Sequence, residues 1–160
     1  MENDTLPSPQ VGLEKRDGCN PLPQYLPVTL EESHLIQNVH TDCWVQLFRD
    51  MIVVGVSQLP GGRVGTYVLC QVEEVTFDSK LRCHTSTVLG VRNDTVIWEV
   101  YARRLTERLA TLRKSQSDPM PSVLLGISLQ SETSQDMSMF SEVIDILVCL
   151  YKKAVAKVIM

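Results

Sequence analysis

The chain has 160 residues, 44% of them hydrophobic and 21% charged, and carries a formal net charge of −4. That length suits one domain with a modest core. The acidic balance argues against nucleic acid or an anionic membrane surface as a partner, and no run approaches the ~20 apolar residues of a membrane span. The five cysteines (Cys19, Cys43, Cys70, Cys83 and Cys149) are odd in number, widely spread and without a C-x-x-C pair. A disulfide-stapled secreted domain is usually shorter and denser in cysteine, and MENDTLPSPQ lacks the basic-then-apolar order of a signal peptide. The expected setting is cytoplasmic, with the nucleus left open.

Five of the eight prolines fall between Pro7 and Pro27, among Ser, Asn, Asp and Gly. Such a composition buries too little apolar surface to offset the entropy of ordering, so residues 1–26 read as a flexible arm ahead of a single α+β domain over 27–160. Residues 35–48 (LIQNVHTDCWVQLF) are β-branched and aromatic with rough alternation, enough for one long strand or two short ones. Arg49-Asp50 is a plausible tight turn. Strands follow over 51–58 and 65–72, then a polar loop over 73–80 and a strand over 81–89. Asp94 or Asn93 caps a helix with the stripe Ile97, Tyr101, Leu105, Leu109 and Leu112, Val100 beside it, which ends at RKSQSDPMP. Residues 122–129 (SVLLGISL) form a further strand, with Val123, Leu125, Ile127 and Leu129 on one face. A last helix runs over roughly 139–157, acidic near its start and lysine-rich near its end, as the helix dipole favours. The order β-β-β-β(-β)-α-β-α indicates an α+β fold with a largely antiparallel sheet.

Candidate chemistry is sparse. The loop PGGRVG lacks the Lys-Ser/Thr of a phosphate-binding loop and is followed by a strand, TYVLCQV, where the phosphate site needs a helix N-terminus. Glycine tolerates positive φ, so Pro60–Gly65 reads as a hairpin turn. Cys83 and His84 are adjacent on a strand and point to opposite faces, and no Cys or His pair has zinc spacing. Nothing raises one thiol above another as a nucleophile. Arg103, Arg104, Arg108, Arg113 and Lys114, interspersed with Glu99 and Glu107, read as a solvated helix face. No catalytic, cofactor-binding or metal-ligating residues are expected, and the protein is not expected to be an enzyme.

The distribution of apolar residues is more informative. Symmetric pairing across the 49–50 turn and the 59–64 loop puts Cys43, Val45, Leu47, Ile52, Val54, Val56, Tyr67 and Leu69 on one sheet face. The other then carries Trp44, Phe48, Met51, Val53, Gly55, Val68 and Cys70, with Trp44 over Gly55. An antiparallel sheet with helices on one side normally shows water a polar second face. This one is apolar on both. Two helices can cover the first face, and the second needs a partner subunit. The last helix points the same way, because Met139, Ile146 and Val148 widen its stripe beyond one buried face.

These residues also carry a likeness. The long apolar strand with its glycine turn, the strand ending Thr87-Val88-Leu89-Gly90, the helix around Val100-Tyr101 and the strand PSVLLGISL together resemble the small proteasome assembly chaperones. The third type is nearest and the fourth is related, over about residues 26–155. The resemblance implies a six-stranded antiparallel sheet with two helices, and no catalytic residues. It also implies heterodimerisation, sheet to sheet, with a sister chaperone, and a role in assembling the α-ring of the 20S proteasome core. With that pairing, the second sheet face makes Trp44, Phe48, Val53 and Val68 the expected dimer contacts, and the exposed loops at Pro60, Gly61, Gly62 and Arg63 and over 73–80 are the candidate contacts to a proteasome α subunit. The alternative is a homodimeric α+β regulatory or ligand-binding domain; a hydrolase using Cys70 or Cys83 is a third.

Overall fold

The computed structural model describes residues 27–73, 82–90, 95–113, 119–130 and 136–159; the N-terminal arm and nearly all of the 73–80 loop lie outside them. The elements are β1 (Val28–Ile36), β2 (Val39–Leu47), β3 (Met51–Ser57), β4 (Thr66–Glu73), β5 (Arg82–Leu89), α1 (Thr95–Arg113), β6 (Ser122–Ser128) and α2 (Met137–Ile159). The apolar segment 35–48 resolves into two strands of a hairpin that begins earlier than its composition suggests. Gln37 and Asn38 turn it with φ of 50° and 64°, the left-handed pair that matches the twist of the flanking strands. Between β2 and β3 the Arg49-Asp50 turn is as expected: the Phe48 N–H donates to the Met51 carbonyl at 2.9 Å.

The sheet order is β1-β2-β3-β6-β4-β5, antiparallel except where β6 runs parallel to β3. PGGRVG is therefore not a hairpin turn between neighbouring strands, because β6 lies between β3 and β4. SVLLGIS is apolar on both sides, and an interior position satisfies its backbone on both edges. The loop must then cross two inter-strand spacings, roughly 10 Å. It does so through a 3₁₀ turn at Pro60–Gly62, with φ of 73° and 65° at Gly61 and Gly62.

Side chains pin both ends of this loop. Ser57 Oγ donates to the Arg63 carbonyl at 2.6 Å, and the Gly65 N–H donates to Ser128 Oγ at 2.6 Å. Buried Gln58 donates from its amide to Thr41 Oγ1 at 3.2 Å and accepts the Gln130 N–H at 2.9 Å. The longer path also reverses β4 relative to a symmetric hairpin. Val68 and Cys70 are fully buried on the helix side, while Tyr67 and Leu69 take the other face.

Both helices cover one face. α1 lies over β4, β5 and β6, α2 lies over β1 and β2, and the two touch. The buried stripe of α1 is Trp98, Tyr101, Leu105 and Leu109 with Ala102, Thr106 and Ala110; Val100 and Leu112 are exposed. Aromatic contacts lie on this buried side. Tyr101 packs against Trp98 at 5.7 Å and edge-on to Phe140 of α2 at 4.5 Å, joining the two helices.

α2 starts two residues before the expected position because Asp136 caps it. The Ser138 N–H donates to Asp136 Oδ1 at 2.8 Å, and Gln37 of the β1–β2 turn donates to Oδ2 at 2.5 Å. The breadth of its apolar stripe is absorbed within the molecule. Met139 and Val148 are buried along with Val143, Leu147, Leu150 and Ala154, because α2 faces the sheet on one side and α1 on the other. That stripe therefore does not call for a partner.

Lys153 of α2 reaches both carboxylate oxygens of Glu32 on β1, at 2.7 and 2.9 Å. This ion pair, aided by His34, holds the Glu32 carboxyl below the usual carboxylate range. A lowered folded-state value stabilises the fold above the unfolded-state value, and that contribution is lost as pH falls through the folded-state value. Glu32→Gln should thus melt below the wild type at neutral pH. The two curves should converge at acid pH below the lowered folded-state value, where the carboxyl is protonated in both states; thermal melts across a pH series check this.

Candidate protein-interaction face

The face without helices is built on two glycines. MIVVGVS of β3 and SVLLGIS of β6 run parallel and in register, so that Gly55 lies beside Gly126 at the centre of the sheet. Their outer neighbours in the same row are Trp44 on β2 and Tyr67 on β4. A Cβ on Gly55 would sit 1.9 Å from Cε2 and Cζ2 of the Trp44 ring, so the indole lies flat over bare backbone. On the other side, a Cβ on Gly126 would sit 3.0 Å from Cε1 of Tyr67 and 3.1 Å from Cγ1 of Val64. Two aromatic rings thus occupy the space the glycines leave open, and the row is level where a Val or Leu would rise.

The row extends to Glu31 at the β1 edge and to Leu89 at the β5 edge. The next row reads Gln46, Val53, Leu124, Leu69 and Ser86. Trp44, Val53, Tyr67, Leu69 and Leu124 are all partly buried, whereas the strand residues that alternate with them are buried beneath the helices. Among the described residues no element covers this face.

Trp44 and Val53 stand on this face as expected, with Phe48 beside them at the turn and 43% exposed. Val68 does not. It is fully buried under the helix layer because β4 is reversed relative to the symmetric hairpin, and Tyr67 and Leu69 replace it. The loop residues Pro60, Gly61 and Arg63 are exposed at one end of the face, and Gly62 approaches Asp42.

Tyr67, Leu69, Leu124 and Gly126 are the residues that sequence reasoning missed. The available signal was the near-repeat of MIVVGVS in SVLLGIS. Two apolar strands with a glycine at the same place can pair in register, and an isolated glycine inside a strand marks a close approach.

The described residues offer little reactive chemistry. Burial pushes the Cys83 thiol up to about 12, with neighbouring Cys70 adding to it, and burial pushes Cys43 to about 12 as well. Cys70 is raised for the same reason. Thiols so raised hold little thiolate at neutral pH and make poor nucleophiles. No three His, Cys, Asp or Glu side chains converge among the described residues as a metal site would require.

The family model for proteasome assembly chaperone 3 matches residues 54–147, more than half of the chain. The chain belongs to that family. The matched region includes β4, β5, α1 and β6 in full, with Gly55, Tyr67 and Gly126, and begins after Trp44. Among solved structures, the fold is similar to a chain in the crystal structure of a chaperone complex for yeast 20S proteasome assembly. The TM-score is 0.57 at 14% identity, covering 78% of this chain and 98% of that one. At that identity the likeness speaks for the fold, a six-stranded, mostly antiparallel sheet with two helices. A search among curated proteins finds no match.

Family membership makes the glycine row testable as a structural device of this chain. Gly55→Ala should drive the Trp44 ring off the sheet and cost roughly 1–3 kcal/mol, as overpacking of a filled site does. Trp44→Ala in the same background should recover part of that loss. Chemical denaturation of the three variants measures it.

Proposed function

We propose that this protein is a non-enzymatic assembly chaperone of the cytoplasm. It pairs through the open face of its sheet with a sister chaperone, and the pair promotes assembly of the α-ring of the 20S proteasome core. The observation that carries the reading is the uncovered face itself. Trp44, Val53, Tyr67, Leu69 and Leu124 form a contiguous apolar surface of the kind that soluble monomers rarely leave to water. A second sheet laid on it, about 10 Å away, completes a sandwich whose shared layer is apolar on both sides. Family membership and the likeness to a chaperone of 20S proteasome assembly support the same role.

The contact to a proteasome α subunit falls on the 59–63 loop, where Leu59 is 42% exposed and Pro60 and Arg63 project beside it. The hydrogen bonds that Ser57 and Gln58 donate and that Ser128 Oγ accepts from the Gly65 N–H hold this loop in one shape. Its binding surface is then largely ordered before contact, which lowers the entropic cost of association.

Trp44→Asp should abolish co-purification with the sister chaperone, because it places a charge in the centre of the dried layer. Leu112→Asp, on the exposed side of α1, should leave pairing intact. A Trp44→Asp protein that still co-purifies at wild-type yield rules out this face.

A further inference from the structure

The chain enters the fold at the margin of the open face. Pro27 is the first described residue, and β1 begins at Val28, opposite Leu47. Phe48, 43% exposed, is the next residue of β2 beyond that pair. From there a groove of about 640 Å³ runs along β1 and β2, with Thr29, Glu31, Trp44 and Gln46 in its walls and Gly61–Gly62 at its far end beside Asp42. Asp42 accepts the Ser33 hydroxyl at 2.8 Å and lies 2.9 Å from His40 Nε2, so the groove does not call for a cation. Its apolar content is the Trp44 ring, with Phe48 two residues beyond Gln46 on the same strand face.

The residues that lead into this entry point have the composition to fill the groove. Residues 21–26 read Pro-Leu-Pro-Gln-Tyr-Leu, uncharged and largely apolar, and Pro27 follows. Counted back from Pro27, six residues reach up to ~20 Å. Trp44 lies three residues and one strand spacing from the Val28–Leu47 pair, about 11 Å, so the segment reaches it even after reversing direction. Pro21, Pro23 and Pro27 have no N–H, which makes this stretch unsuited to pairing as a further strand on the β1 edge. Side-chain contact on the face is what its residues allow, and a tyrosine suits an exposed indole. Because it is tethered at the mouth of the groove, the segment acts at a high effective concentration, and weak contacts suffice.

We infer that residues 21–26 fold back over the β1–β2 part of the open face, with Leu22 and Tyr25 against Trp44 and Phe48. The segment covers this part of the face until the sister chaperone displaces it. Val53, Leu69 and Leu124 on the central strands stay open to the incoming sheet. The segment is thereby an intramolecular competitor, a role that rests on the open face being where the sister chaperone pairs. It shields apolar surface while the chain is alone, and it weakens apparent affinity for the sister chaperone in proportion to the time it is seated.

Acrylamide quenching of tryptophan fluorescence in the full chain tests the seat. Trp98, the other tryptophan, is 5% exposed and contributes a constant background. The full-length variant Leu22→Ser/Tyr25→Ser/Leu26→Ser should be quenched more strongly than wild type. Calorimetric titration with the sister chaperone should show it binding roughly tenfold more tightly, as when the competent fraction rises from about a tenth to nearly all. Quenching and affinity both at wild-type values overturn the proposal, and loss of binding in Trp44→Asp then leaves the face pairing standing. Stronger quenching with unchanged affinity overturns the competitor role. Binding retained by Trp44→Asp overturns the pairing, and the competitor role with it, while the quenching still reads the seat. Protection of Trp44 that disappears on dilution, together with a dimer in sedimentation, assigns the face to a second copy and overturns the proposal.

Discussion

The arrangement rests on β6 entering the sheet between β3 and β4. That one insertion sets Gly126 beside Gly55 and fixes which side of β4 faces the helices. It also obliges the 58–65 segment to span two strand spacings. Each of the visible peculiarities of the open face follows from it. With no Cβ at either glycine, the two aromatic rings of the neighbouring strands can lie down on backbone. The face stays level across β2, β3, β6 and β4, and a level apolar face is what a second sheet can pack against without voids.

The two faces are made by different means. The helix side is an ordinary close-packed core, in which Val54, Val56, Val68, Val123 and Leu125 meet Leu105, Leu109, Val143 and Leu147. The helices are tied to the sheet by polar devices at its margins. Asp136 joins the α2 start to the β1–β2 turn, the Glu32–Lys153 pair joins α2 to β1, and Thr87 donates to Glu99 where α1 passes β5. The open side has no such margin of its own.

Much of this was legible in the residues. The turn at Arg49-Asp50, the in-register placing of Trp44 over Gly55, the apolar alternation of 122–129 and the excess of apolar strand surface all followed from period and glycine placement. The β1–β2 turn was less legible, because Gln37-Asn38 lacks glycine and the segment reads as one stretch of rough alternation. The helix rotation was less legible still, since the stripe through Tyr101, Leu105 and Leu109 accepts either Trp98 or Leu112 at its margin, and only the packed molecule shows Trp98 buried and Leu112 exposed.

By itself the sequence determined the class of fold, the order of its elements, and the fact that the sheet carries more apolar surface than two helices cover. Those properties depend on local period and composition. Which strands are neighbours, and therefore which side of β4 is outward, was decided only in three dimensions. A loop with two glycines can close a tight hairpin or bridge a gap, and its own residues do not distinguish the two. The choice belongs to β6, more than fifty residues away, whose backbone and doubly apolar side chains are satisfied only with a strand on each edge. That long-range pairing moved Val68 into the core and brought Tyr67 and Leu69 to the partner face.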